Sequence, residues 1–167
     1  MFSFETADSI QIPLIRNLAS NIWGNTYKSI LSKEQLDYMF EMMYSEESLG
    51  KQISEKGHCF FIAKADGIPV GFLSIESQGE RLFIFQKIYA LPEMQGKGLG
   101  RYMVEQAIHY LRQQQPPPFT IELYVNRENS AVDFYLHLGF KQVATRDHHI
   151  GNGYYMNDYI MQLPVNN

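Results

Sequence analysis

The chain has 167 residues, 45% hydrophobic and 19% charged, a balance that places it with soluble globular proteins and excludes intrinsic disorder. Its formal net charge of −4 excludes the basic face that sequence-independent nucleic-acid binding requires, while remaining compatible with a cationic substrate. With a single cysteine, Cys59, neither an internal disulfide nor a thiolate metal cluster can form, and no apolar run nears the roughly 18 residues of a membrane helix.

In chain order, Met1-Phe2-Ser3-Phe4-Glu5 lacks the basic-then-apolar pattern of a secretory leader, so a cytoplasmic location is expected. Ile10, Leu14, Leu18 and Ile22 are spaced by four, which predicts a helix over about 7–27, with Pro13 marking an early turn or a kink. Ser32 and Gln35 have capping-box spacing ahead of the stripe Leu36, Met39, Phe40 and Met43, predicting a second helix. A short third helix is expected over about 46–55, ending near Gly57. The character then changes. Residues 58–65 and 69–75 read as strands joined by the hairpin turn Asp66-Gly67. Cys59 falls in the first of them and reads as core. A third strand over 81–90 completes an antiparallel meander.

Leu99, Met103, Ala107 and Leu111 predict a long helix over 98–114, stopped by Pro116-Pro117-Pro118. Phe119 to Val125 alternates cleanly as a strand. A short helix is expected over 129–138, capped by Gly139, and two strands close the chain near 141–148 and 154–163. No repeat or linker points to a second domain.

The chemistry concentrates at Gln95-Gly96-Lys97-Gly98-Leu99-Gly100-Arg101, between a strand and a helix. Glycines let backbone N–H groups approach a ligand closely, and the unsatisfied N–H groups and dipole of a new helix favour a phosphate. Lys97 and Arg101 add positive charge there. A P-loop is excluded, since no Gly-Lys-Ser/Thr occurs. So is the dinucleotide fingerprint, whose third glycine is due at Arg101 or Met103.

Gln95-x-x-Gly98-x-Gly100, after a strand ending Ile88-Tyr89-Ala90-Leu91-Pro92, resembles the acetyl-CoA signature of the GNAT N-acetyltransferase superfamily. Asn129-Ser130-Ala131 followed by Phe134-Tyr135 and Gly139-Phe140 is similar to that family's second cofactor segment. The helical N-terminus and Asp158-Tyr159-Ile160-Met161 look like the bacterial branch that includes polyamine acetyltransferases. The resemblance implies an α+β, three-layer fold, with a mixed and mostly antiparallel central sheet of about six to seven strands flanked by helices. It implies one domain over 1–167, with a helical acceptor-side segment at 7–56 and an acetyl-CoA core at 58–163. Backbone N–H groups from Gly96 to Arg101 would hold the cofactor's pyrophosphate. The strand edge from Ile88 to Ala90 would pair with the pantetheine arm, with the N–H of Ile88 as oxyanion donor. The strands at 81–90 and 119–125 would splay to admit the cofactor. Asn129 would contact the cofactor arm, and Tyr135 would protonate the leaving thiolate. Without the resemblance, Tyr135 reads as core on an apolar helix face.

The general base stays open. Where some relatives carry a glutamate, this chain has Ile84. Water-mediated deprotonation, Glu122, Tyr124 and the pair His148-His149 are the alternatives. His58, His109 and His137 read as structural or surface residues, and no His/Asp/Glu spacing suggests a metal. Trp23, Tyr27, Tyr38, Tyr154 and Tyr155 read either as core or as walls of an acceptor pocket. Glu34, Asp37 and Glu41 form either a solvated face or an attraction for a cationic amine. The expected acceptor is a small-molecule amine, with a protein N-terminus or lysine as alternative. A non-catalytic acyl-CoA-binding module and a nucleotide-binding regulatory domain are the rival classes. The apolar, aromatic C-terminal hairpin invites homodimerisation by sheet pairing.

Overall fold

The computed structural model describes all 167 residues, Met1–Asn167. Seven strands and five helices follow in the order β1 (Phe2–Ala7), α1 (Ile12–Tyr27), α2 (Lys33–Tyr44), α3 (Glu46–Ser54), β2 (Cys59–Ala65), β3 (Ile68–Ser77), β4 (Leu82–Ala90), α4 (Leu99–Gln114), β5 (Phe119–Asn126), α5 (Ala131–His137), β6 (Lys141–Gly151) and β7 (Tyr154–Val165). The strands form one sheet in the order β1-β2-β3-β4-β5-β7-β6. Every neighbouring pair is antiparallel except β4–β5, which is parallel. The three-layer α+β expectation therefore holds.

Alternation explains the layers. Along β2, Phe60 and Ile62 join the core under α1–α3, while Phe61 and Ala63 join the core under α4 and α5. Both faces of the strand are buried, so it reads as a continuous apolar run. Ile15, Leu18, Ala19 and Ile22 supply the α1 side of one core, and Leu99, Met103, Ala107 and Leu111 the α4 side of the other. Each fully buried leucine, isoleucine, phenylalanine or methionine among them contributes about 1.5–3 kcal/mol.

The N-terminus departs from the sequence expectation. Residues 2–7 form a strand, pairing with β2 from Phe2↔Ala65 to Ala7↔Phe60. Asp8 then caps a short 3₁₀ turn at Ser9–Gln11, with Gln11 completing the capping box. The helix begins only at Ile12, and Pro13 sits in its first turn, where the missing N–H costs nothing. Phe4 stacks on Phe61 at 4.7 Å, so long-range pairing outweighs any local preference. Cys59, expected in the core, is half-buried at the start of β2, and desolvation raises its thiol pKa.

One irregularity positions the site. In the β3–β4 pairing, Ile75 faces Phe85 and Ser74 faces Lys87, leaving Gln86 as the extra residue of a β-bulge. The bulge reverses the alternation. Phe83 and Phe85 point into the α4 side, whereas Lys87 and Tyr89 pack toward α1–α3.

Candidate functional site

The parallel pairing of β4 and β5 runs only from Leu82↔Thr120 to Phe85↔Leu123. Beyond it the strands part, as expected for the segments at 81–90 and 119–125. A groove of about 810 Å³ opens in the gap. Ile88 and Ala90 lie on its β4 margin. Successive N–H groups of a strand point to opposite sides, so with β3 bonded on one side, half of those on this stretch aim into the gap.

The glycine turn closes one end of the groove. Gln95, Gly96, Gly98, Leu99, Gly100 and Arg101 all line it, and Lys97 does not. Gly98 is the N-cap of α4 at φ +81°, a left-handed conformation that other residues adopt at a cost. The N–H groups of Leu99, Gly100 and Arg101 open the helix and have no preceding turn to bond. Gly100 is fixed by packing: a Cβ there would meet Cζ of Phe134 at 2.9 Å. The turn thus holds α5 close to α4 and leaves free N–H groups facing the groove.

Asn129, Phe134 and Tyr135 line the groove's other side. The Asn129 side-chain oxygen accepts from the Ala131 N–H at 2.9 Å in the turn that leads into α5, whose N-cap is Ser130. The helix starts at Ala131, two residues later than expected. Tyr135 is 7% exposed and packs edge-on against Phe134 and Phe140. Desolvation, with Tyr27 close by, raises its pKa well above the ordinary phenol value, so it holds its proton at neutral pH. The hydroxyls of Tyr27 and Tyr89 lie 3.1 Å apart where the groove passes through the sheet, and desolvation raises both.

A second cavity, about 770 Å³, lies between the sheet, α1–α3 and the β6–β7 hairpin. Tyr27, Gln86, Tyr89 and Tyr124 line both spaces, so the two meet at the break between β4 and β5. Trp23, Tyr27 and Tyr155 wall this cavity, whereas Tyr38 and Tyr154 pack at a tilt against each other outside it. Ile84 faces it. Glu122 lines neither space; it accepts from Tyr124 at 2.7 Å and from Gln162 at 2.8 Å. That bond, after desolvation, pushes Tyr124 up to about 12. His148 and His149 line the cavity from exposed positions. The acidic stripe on α2 does not reach it: Asp37 pairs with Lys33 and Glu41 with Arg16, both in solvent.

Charged residues to which sequence reasoning gave no role in the site complete the cavity. Asp158, 2% exposed, is bound by Arg146 at 3.1 Å. Burial raises its pKa against the lowering effect of Arg146. The same guanidinium stacks on Tyr124 at 3.6 Å. Lys87, 7% exposed, donates to Gln52 Oε1 at 2.7 Å. His58 Nε2 stands 3.5 Å from Glu76, and burial lowers the imidazole pKa. The one available signal was a lysine, next to Gln86, inside the mostly apolar strand Leu82–Ala90.

A family model described as an acetyltransferase (GNAT) domain matches residues 28–163. The chain belongs to the GNAT acetyltransferases. Among GNAT relatives, the spermidine N(1)-acetyltransferase of Thermoplasma acidophilum is 28% identical over 129 residues, covering 74% of this chain and 78% of that protein. An uncharacterized N-acetyltransferase of Methanocaldococcus jannaschii is 29% identical over 90 residues, 50% of this chain. The chain spans 39% of the length of that relative and 26% of a Streptomyces griseus mycothiol acetyltransferase. Solved GNAT structures share the fold. The PaiA N-acetyltransferase of Thermoplasma acidophilum, in complex with coenzyme A, superposes with a TM-score of 0.78 at 20% identity, covering 99% of both chains. A spermidine N-acetyltransferase of Vibrio cholerae does so at 0.68 and 23%, covering 98% and 93%.

Proposed function

We propose that the chain, as one domain over residues 1–167, transfers the acetyl group of acetyl-CoA to a primary amine of a small molecule by direct attack in a ternary complex. One observation carries this reading. The groove and the cavity meet at the break between β4 and β5, around Tyr27, Gln86, Tyr89 and Tyr124. A thioester entering from the groove and an amine entering from the cavity would meet there.

In this scheme the free N–H groups at the start of α4 hold the pyrophosphate, and the β4 margin at Ile88 and Ala90 pairs with the pantetheine arm. The amine attacks the thioester carbonyl. The tetrahedral oxyanion is stabilised by the Ile88 N–H, a contact of a kind whose removal typically costs about 3–4 kcal/mol. The intermediate collapses, the C–S bond breaks, and Tyr135 gives its proton to the thiolate. Asn129 supports the cofactor arm from the turn ahead of α5. With Ile84 in place of an acid and Glu122 outside both spaces, the amine's proton leaves through water. A cavity of this size suits a small amine, and the polyamine named in one relative is a candidate.

The test is a thermal-shift titration with acetyl-CoA, CoA, ATP and NAD, followed by thiol release with a panel of amines. A ligand at a hundred times its Kd stabilises by about 2.7 kcal/mol, several degrees for a domain this size. Shifts with acetyl-CoA and CoA alone, and thiol release with an amine, support the reading. Stabilisation without release on any amine identifies a non-catalytic acyl-CoA-binding module. No shift with either coenzyme overturns the cofactor assignment.

A further inference from the structure

We infer that the acceptor amine also carries a carboxylate, and that Lys87 receives it at the floor of the cavity beside Gln52 and His58. The inference rests on the acetyltransferase reading and narrows its substrate class.

A buried ammonium is costly unless paired. Lys87 is 7% exposed and lines the cavity, yet none of the chain's ion pairs includes it. Its hydrogen-bond partner is the neutral amide oxygen of Gln52 on α3. The faces of Tyr44 from α2 and Phe60 from β2 stand 5.5 Å from the nitrogen. An ammonium has three donors, and Gln52 takes one. The groups facing it are Lys56 and His58 ahead of β2, and Glu76 on β3. Glu76 accepts from Gln86 at 2.7 Å and stands beside His58. His58 keeps Nδ1 buried and without a partner. Two cationic side chains thus face the cavity without an ion-pair partner, Lys87 at its floor and the exposed Lys56.

The cavity's carboxylates are already engaged. Asp158 is bound by Arg146, and Glu76 by Gln86 and His58. A polyamine would meet a buried positive charge here, and both acids are already hydrogen-bonded, Asp158 to Arg146 and Glu76 to Gln86. A zwitterionic amine fits: its carboxylate pairs with Lys87, and its amino group extends toward the break between β4 and β5, one residue along the strand at Ile88. A single ammonium with one amide neighbour matches a monoanion. Desolvation, then Lys56, lowers the Lys87 pKa to about 7, so its charge is present below that pH and lost above it. The preference for a carboxylate therefore weakens as pH rises through about 7.

The experiment measures kcat/KM by thiol release for amines in pairs, lysine against cadaverine and ornithine against putrescine, with the other protein amino acids and spermidine alongside. The wild type and Lys87→Met are compared at pH 6.5 and 8.5, and acetyl-CoA stabilisation of the variant confirms that it folds. A carboxylate-bearing amine is expected to exceed its decarboxylated partner by at least about tenfold. Lys87→Met is expected to bring the two within about threefold, through a rise in KM for the carboxylate-bearing member. Equal rates within pairs, spermidine as the best acceptor, or a preference that survives in Lys87→Met overturns the carboxylate site while leaving the acetyltransferase reading intact. No release with any amine, together with no stabilisation by acetyl-CoA, fails that reading itself.

Discussion

Replacing Lys87 with methionine makes a prediction about stability that is independent of any substrate. Methionine keeps the apolar stem against Tyr44 and Phe60 and removes the buried charge. The Lys87 pKa falls from 10.5 to about 7 on folding, a drop of about 3.5 units. At about 1.4 kcal/mol per unit, this is on the order of 5 kcal/mol of linkage. Below pH 7 the residue is charged in both states, and the folded protein bears the full cost of desolvation. Between pH 7 and 10.5 the unfolded chain holds a proton that the folded one has released, so stability rises with pH. From pH 7 to 9 the wild type should gain on order of 2 kcal/mol relative to Lys87→Met. Orphaning Gln52 Oε1 costs about 1–3 kcal/mol, but that loss is independent of pH and leaves the slope untouched. Urea denaturation of both proteins at pH 7, 8 and 9 reads the difference directly. Parallel stability curves would refute the claim that Lys87 is an uncompensated buried ammonium.

Tyr135→Phe keeps the packing against Phe134 and Phe140 and removes the proton donor; kcat should fall about 100-fold or more, with acetyl-CoA affinity by calorimetry unchanged. An undiminished kcat removes Tyr135 from the chemistry. Gly98→Ala tests the turn. No atom lies within 4 Å of the added Cβ, so the cost is the left-handed backbone alone, about 1–2 kcal/mol in chemical denaturation; a neutral result would mean that the turn relaxes freely. Arg146→Met leaves the 2%-exposed Asp158 without its partner. About 2–3 kcal/mol should be lost at pH 7, less than for a fully buried pair because Arg146 is itself 28% exposed. The loss should shrink as pH falls and Asp158 protonates, and a pH-independent loss would show that packing, not charge, is responsible.

Much of the architecture is legible in the chain because it is encoded locally. The four-residue spacing of Leu99 to Leu111, the alternation from Phe119 to Val125 and the Asp66-Gly67 turn each specify an element without reference to distant residues. Asp66 and Gly67 indeed adopt the paired positive φ values of a tight hairpin turn. The glycine turn is legible for the same reason. What sequence reading misses is made by long-range pairing. The strand at Phe2–Ala7 exists because β2, more than fifty residues away, offers it an edge. Tyr27 and Tyr89 meet only when α1 lies over β4. Lys87 is hidden for a subtler reason. Plain alternation would place it on the same face as Phe85, and only the extra residue at Gln86 turns it toward the helices. The acidic stripe at Glu34, Asp37 and Glu41 misleads in the opposite direction, since regular spacing on a helix does not say which face the cavity takes.

The seam between β4 and β5 has a mechanical consequence. Four residue pairs join these strands, against seven between β3 and β4 and eight between β5 and β7. The weakest join of the sheet is therefore near its middle, and the strands behave as two panels hinged at residues 82–85 and 120–123. A ligand laid in the gap and bonded to both panels would act as a splint. Its arrival should slow amide hydrogen exchange on both margins together, at 86–90 and at 124–126. Filling the gap would then stiffen the whole sheet as a single plate, and the wall of the opposite cavity, built partly from those same margins, would be set in place before an acceptor arrives.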